Sequence, residues 1–423
     1  MLSRFCVFPA LLLLASTAAT AQEWTRFRGP NGSGVSEATI PAQWTDKEIR
    51  FRVELPGIGH SSPVFWGDKI FLTSALEETA TRLVLCLRAD DGQIIWQRKF
   101  PSTPHKKHEF NSFASSTPCV DAERVYCCWS TPDEYTLLAL DHEGQDSWHK
   151  NLGPFVSQHS CGVSPMIFND LVVLGNDQGD ENKQGTSSLL ALDRQTGELR
   201  WRLDRRTATV AYSTPCVYQP EGGEPELIFN SESHGITSVD PASGRVNWEL
   251  NVFKKRSVSS PIVAGGLIFG SCGSGGGGNY LVALRPPANV GASPEIAYKI
   301  EGAAPYVPTP VALGELLFLW NDKGIVTCAR ASSGEQLWQK RVGGNYHGSP
   351  ICSGGRLFCI RDDGEVTVVA AAEKYELLGR NPLGEESRST PAVAAGRMYV
   401  RTSSHLVCVG GKPTPDERPG GSR

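Results

Sequence analysis

The stretch ALDRQTGELRW, Ala191–Trp201, holds the end of an apolar strand, a turn, and the start of a second strand that leads to tryptophan. Asp193 is suited to accept hydrogen bonds from the turn amides, and Gly197 to take the positive φ that the turn requires. Trp201 is large enough to pack across the gap to a neighbouring sheet. The same ending recurs as DGQIIW, EGQDSW, SGRVNW and SGEQLW, which puts Trp96, Trp148, Trp248 and Trp338 in the same structural position. A repeated docking tryptophan implies a repeated sheet.

Working outward from this ending, each copy follows an anchor of Ser or Thr before proline. The residues before the eight anchor prolines are Ser62, Thr117, Ser164, Thr214, Ser260, Thr309, Ser349 and Thr390. The anchors lie about 47 residues apart on average, a period that points to a propeller or solenoid. Between anchor and tryptophan stand short apolar runs broken by Gly, Asp and Asn, which read as strands and tight turns. Four antiparallel strands per unit and eight anchors predict an all-β, eight-bladed β-propeller of four-stranded antiparallel blades. The fifth unit offers Tyr298 in place of tryptophan, and the seventh ends in EKYELL. The last unit stops after its third strand, at HLVCVG. A ring that leaves a blade unfinished exposes an edge, so IRFRVEL, Ile49–Leu55, is expected to supply the missing strand.

The 423-residue chain is 40% hydrophobic and 20% charged with a formal net charge of −4, which gives no clustered basic surface for nucleic acid. Residues 1–21 read as a cleavable signal peptide: Arg4, an apolar core, then Ala19-Thr20-Ala21. No cysteine stands where a lipoprotein signal places one, and no later run is long enough for a transmembrane helix. The expectation is therefore a periplasmic or secreted protein, with the propeller over 22–410 and a flexible Pro/Gly-rich tail over 411–423. Apart from Cys6, the cysteines sit mostly singly in apolar runs, as small hydrophobes do.

The docking motif resembles that of the PQQ-type quinoprotein propellers, over nearly the whole chain after the leader. WTRFRGPNGSG (Trp24–Gly34), LPGIGHSSP, NSFASSTP, GSGGGGNYLVAL and SRSTPAVAAGRMYVRTSSHLVCVG look like the bacterial BamB-like subgroup. The resemblance implies an eight-bladed ring and a protein partner in the cell envelope. Its motif staples blades whether or not a quinone is bound.

At proline minus three the anchors diversify into His60, Ser115, Gly162, Tyr212, Val258, Val307, His347 and Arg388. In a closed ring these positions converge on one channel mouth. With Asn111, His159 and Tyr306 nearby in sequence, the candidate ligand-binding set is His60, Asn111, His159, Tyr212, Tyr306, His347 and Arg388. The leading function is a non-catalytic scaffold that binds a protein or ligand across one face. The alternative is a PQQ- and Ca²⁺-dependent alcohol or sugar dehydrogenase, which needs a stacking tryptophan, a Ca²⁺-ligand set and a carboxylate base. Cys127-Cys128 superficially resembles the vicinal disulfide of methanol dehydrogenases, but it lies within the strand RVYCCWS. A polysaccharide site at Tyr212, Tyr306 and Tyr346 is a third option. The acidic loop 175–185 reads as solvated, and GSGGGG as a hairpin loop; neither His105 and His108 nor any scattered carboxylates complete a metal site or a catalytic triad.

Overall fold

In a computed structural model, residues 24–207, 209–287 and 291–410 are described; the segments expected to be a signal peptide and a flexible tail lie outside them. Eight sheets follow one another in chain order, and their innermost strands begin at Val64, Cys119, Met166, Cys216, Ile262, Val311, Ile351 and Ala392. We number these blades 1 to 8. Among the described residues the only helix is the single 3-10 turn Pro30–Gly32.

Blade 3 shows why the sequence makes this sheet. Its strands Met166–Phe168, Leu171–Asn176, Ser188–Asp193 and Leu199–Asp204 pair antiparallel in that order. Leu171–Asn176 is buried along its whole length, because a blade packs on neighbours through both faces. The outermost strand alternates, and of its residues only Trp201 is fully buried. A bulge just before Trp201 turns it toward the next blade.

The opening stretch works from both ends. Asp193 Oδ1 accepts the Gln195 and Thr196 amides at 2.9 Å each. Gly197 has φ 70, and a Cβ there would lie 2.6 Å from the indole of Trp148 in blade 2. Trp201 in turn covers Gly244 of blade 4 and donates Nε1 to Pro241 O at 2.8 Å. Trp96, Trp148 and Trp338 donate to carbonyls of the following blade, those of His142, Arg194 and Ala372. Trp248 differs, donating to Glu226 Oε2 of its own blade. Tyr298 fills the position in blade 5, lying on Gly334 and donating to Ala331 O.

The two ends of the series are closed by the N-terminal segment. Ile49–Glu54 pairs antiparallel with His405–Gly410 and completes blade 8 as its fourth strand. Phe51 then takes the docking position, its ring against Gly92 of blade 1. In blade 7 the position is Gly379, because the backbone of Ala42 passes there and leaves no room for a side chain. Val35–Ser36 runs parallel to Ile351–Ser353 as a fifth strand on the inner edge of blade 7.

Residues 24–34 form a hook across the channel. Trp24 O and Thr25 O accept the Phe65 and Val120 amides of blades 1 and 2 at 2.9 Å. Asn31 exchanges two bonds with Val217 of blade 4. Arg28 is fully buried and donates to five carbonyls: Gly32 and Ser33 of the hook, Thr309 and Pro310 of blade 6, and Pro350 of blade 7. Buried carbonyls need partners, and one planar fork serves several at once.

Arg28→Met orphans those carbonyls and is expected to lower stability by about 2–4 kcal/mol in urea unfolding, with Arg28→Lys failing to restore it. Gly197→Ala is expected to cost about 1–3 kcal/mol by the same measurement, because its Cβ meets Trp148 at a positive φ.

Candidate functional site

Six amide-to-hydroxyl bonds link the residues before the anchor prolines around the channel, with gaps between Ser164 and Thr214 and between Thr390 and Ser62. Ser62 N–H donates to Thr117 Oγ1, and Thr117 N–H to Ser164 Oγ. The same bond runs from Thr214 to Ser260, Ser260 to Thr309, Thr309 to Ser349 and Ser349 to Thr390. These links measure 2.9–3.0 Å, and each joins one blade's inner strand to the next blade's hydroxyl. Six of the eight hydroxyls thus accept a backbone amide of the preceding blade.

Above this ring the channel widens into a cavity of about 660 Å³. All eight proline-minus-three residues line it, so the structure brings His60, Tyr212, His347 and Arg388 together; Asn111, His159 and Tyr306 line it as well. Phe27 of the hook also lines it, set between the pinned Arg26 and Arg28. The hook thus closes the far end and makes the cavity a blind cup.

A strap spans the mouth. The connection from blade 1 to blade 2 carries His108, Glu109 and Phe110 over the cup. The Phe110 ring is 4.9 Å from His347 and lies under the Arg388 guanidinium at 5.1 Å. His108 meets His159 edge-on at 4.7 Å. Asn111 Nδ2 donates to His159 O at 2.6 Å and ties the strap to the blade 2–3 connection.

The cup's three cations and three carboxylates balance in number but differ in how they are engaged. Arg256 donates to Gln158 and Lys323 to Asn345, both neutral partners. Arg388 has only a loose 3.6 Å contact with the exposed Glu386. The carboxylates are engaged: Asp322 accepts the Tyr306 and Val307 amides at 2.7 and 2.9 Å, and Asp362 holds His347 Nδ1 at 2.9 Å. Glu109 sits exposed on the strap. Burial, with Arg401 and Arg388 adding to it, pushes the His60 imidazole down to about 3. Burial beside Arg256 pushes His159 down to about 4. Burial drives the Tyr212 phenol up. The Tyr212 ring lies flat against Gly162, where a Cβ would approach it to 2.9 Å.

Several expectations are revised. Tyr346 is wholly buried against Trp320 and bonds Thr367, so it does not reach the channel. Asp177 is not solvated but buried, 3.5 Å from Arg205. In agreement with the strand reading of RVYCCWS, Cys127 packs in the seam between blades 1 and 2 and Cys128 in the seam between blades 2 and 3, so their side chains leave opposite faces of the strand. Sequence reasoning passed over Arg256, Asp322, Lys323 and Asp362, and of the strap it placed only Asn111 in the site. The turns WNDKG and IRDDG, at equivalent places in blades 6 and 7, carried the available signal.

PQQ with Ca²⁺ does not fit these residues. No tryptophan lines the cup, and Cys127 and Cys128 are buried in blade seams away from it. Among the described residues no three His, Cys, Asp or Glu side chains gather as a metal set.

The lowered imidazoles make stability depend on pH. The unfolded chain takes up these protons near the ordinary 6.5, whereas the folded chain holds them off to about 3 and 4. Stability is therefore complete above about 6.5 and lost progressively as pH falls toward the folded values. The urea midpoint is expected to drop between pH 7 and pH 5, with a shallower drop in His60→Gln.

With the geometry in place, the chain can be set beside known proteins. No curated protein matches it in sequence. BamB from Moraxella catarrhalis superposes with a TM-score of 0.61 at 15% identity, over 86% of this chain and 99% of that one. A europium-containing methanol dehydrogenase gives 0.63 at 12%, over 89% of each chain. The quinohemoprotein alcohol dehydrogenase from Comamonas testosteroni gives 0.64 at 14%, over 93% and 82%. Identities this low speak for the shared propeller alone. The family described as "Outer membrane protein assembly factor BamB" matches residues 25–271, 182–302 and 301–409. Ring, docking residues and family match agree: this chain belongs to the BamB-like family of PQQ-type propellers.

Proposed function

We propose that this propeller is a non-catalytic binding scaffold of the cell envelope whose blind cup receives an extended acidic ligand, an acidic peptide segment of a protein partner. One observation carries the reading: Arg256, Lys323 and Arg388 face one cup whose inner carboxylates, Asp322 and Asp362, are already engaged. Formal charges in the cup balance, three cations against Glu109, Asp322 and Asp362, but the inner carboxylates are held by amides and an imidazole, which leaves the cations as the groups free to pair with an incoming acid. The volume of about 660 Å³ suits a few residues of extended chain. Aromatic faces at Phe27, Tyr306 and Phe110 give that chain apolar contact. The assembly role printed for the family favours a protein segment over a free metabolite. Among the described residues no helix is long and apolar enough to cross a membrane.

The test is calorimetric titration with a short acidic peptide, its Asn/Gln counterpart and PQQ with Ca²⁺. The acidic peptide is expected to bind alone and to weaken as salt rises. Arg256→Ala and Arg388→Ala are each expected to weaken it about tenfold, the loss of a charge-assisted contact. Equal binding of the neutral peptide contradicts the reading, as does saturable PQQ binding accompanied by dye-linked alcohol oxidation.

A further inference from the structure

Cys128 has a structural partner, and it is not its sequence neighbour. Cys128 lies on Arg124–Ser130, and Cys161 on the irregular connection that leads into blade 3. Both belong to the same buried cluster between blades 2 and 3. Cys128 Sγ is 3.3 Å from Val163 O, and Ser116 Oγ bonds that same oxygen at 2.6 Å. Ser116 Oγ and Tyr135 Oη each stand 3.7 Å from Cys161 Sγ. Ser116 Oγ therefore touches Cys161 Sγ and shares the Val163 oxygen with Cys128 Sγ, which brings both thiols to one spot in the seam.

We propose that Cys128 and Cys161 form a redox pair, a disulfide site that fastens the blade 2–3 connection to the second strand of blade 2. The inference is independent of what the cup binds. It bears on the cup all the same, since the tethered connection carries His159 and Gly162. Ser160, beside Cys161, holds a φ of 68 that a serine adopts only under constraint, so the connection is already drawn into one conformation.

The chemistry is thiol–disulfide exchange with glutathione disulfide as oxidant. The Cys161 thiolate attacks one glutathione sulfur, and one glutathione leaves as thiolate. The Cys128 thiolate then attacks Cys161 Sγ and expels the second. Two protein thiols are oxidised, one disulfide is reduced to two thiols, and the two protons pass to the released glutathiones. The neighbouring Cys128 thiol, with the Tyr135 and Ser116 hydroxyls, holds the Cys161 thiol below its ordinary range despite burial. Cys161 is thus the attacking group, and Cys128, which burial pushes up, the resolving one. With Cys161 at 6% exposure and Cys128 at 2%, exchange requires the connection to lift away from blade 2.

The test poises the full chain in glutathione buffers from reducing to oxidising, traps free thiols by alkylation, and maps crosslinked peptides by mass spectrometry. The expected product is a Cys128–Cys161 crosslink, lost on reduction and in Cys161→Ala, and retained in Cys127→Ala. Amide exchange over 155–163 is expected to slow on oxidation in the wild type but not in Cys161→Ala. Should Cys161→Ala not fold, Cys128→Ala serves the same purpose. A Cys127–Cys128 crosslink, glutathione adducts without a crosslink, or free thiols at every poise would each overturn the proposal.

Discussion

Each blade presents the bare edge of its first strand to the channel, and the architecture rests on how those backbone groups are satisfied. Two devices divide the work. In six of the eight blades the amide at the head of the strand donates to a Ser or Thr hydroxyl of the next blade. Carbonyls lower in the channel meet Arg28 and Arg26 of the hook. An unpaired buried donor or acceptor costs about 1–3 kcal/mol, so a ring of eight exposed inner edges would otherwise be untenable. The hydroxyls are short enough to stand in the narrow part of the channel, which is why Ser and Thr alone occupy that position. The proline that follows each one donates no amide, so no further donor is left unpaired there.

Closure and plugging come from one segment. Residues 24–34 pin the inner edges, Val35–Ser36 adds to blade 7, and Ile49–Glu54 finishes blade 8. The same run of chain thus joins the channel, the inner edge and the outer rim. Its route explains the irregular seventh blade: Gly379 stands where a tryptophan would be because Ala42 already fills the gap. A cup with a fixed floor follows, and its lining is then set by the proline-minus-three positions and by the turns that face the same mouth.

Much of this was legible because the repeat fixes a register. Once the anchors are aligned, His60, Tyr212, His347 and Arg388 must share a mouth, whatever their distance in sequence. Tyr346 shows the limit of nearness as an argument, since its neighbour His347 faces the cup while it turns into the core. The strap was not legible: nothing local to KKHEF states that Phe110 crosses to blades 7 and 8. Nor was Arg28, which in a Gly/Pro-rich run reads as solvated and finds its carbonyls only in the closed ring. Cys127 and Cys128, by contrast, were legible within RVYCCWS, because adjacent strand residues point to opposite faces.

The central claim is that the N-terminal segment is an integral part of the ring. Native-state hydrogen exchange read by mass spectrometry tests it most directly, with peptides covering 24–36, 49–54 and 405–410 followed together. The account expects the three to exchange as one cooperative unit, at the rate of global unfolding. Rapid exchange of 24–54 while 405–410 stays protected would contradict it, since the last blade would then stand complete without its borrowed strand.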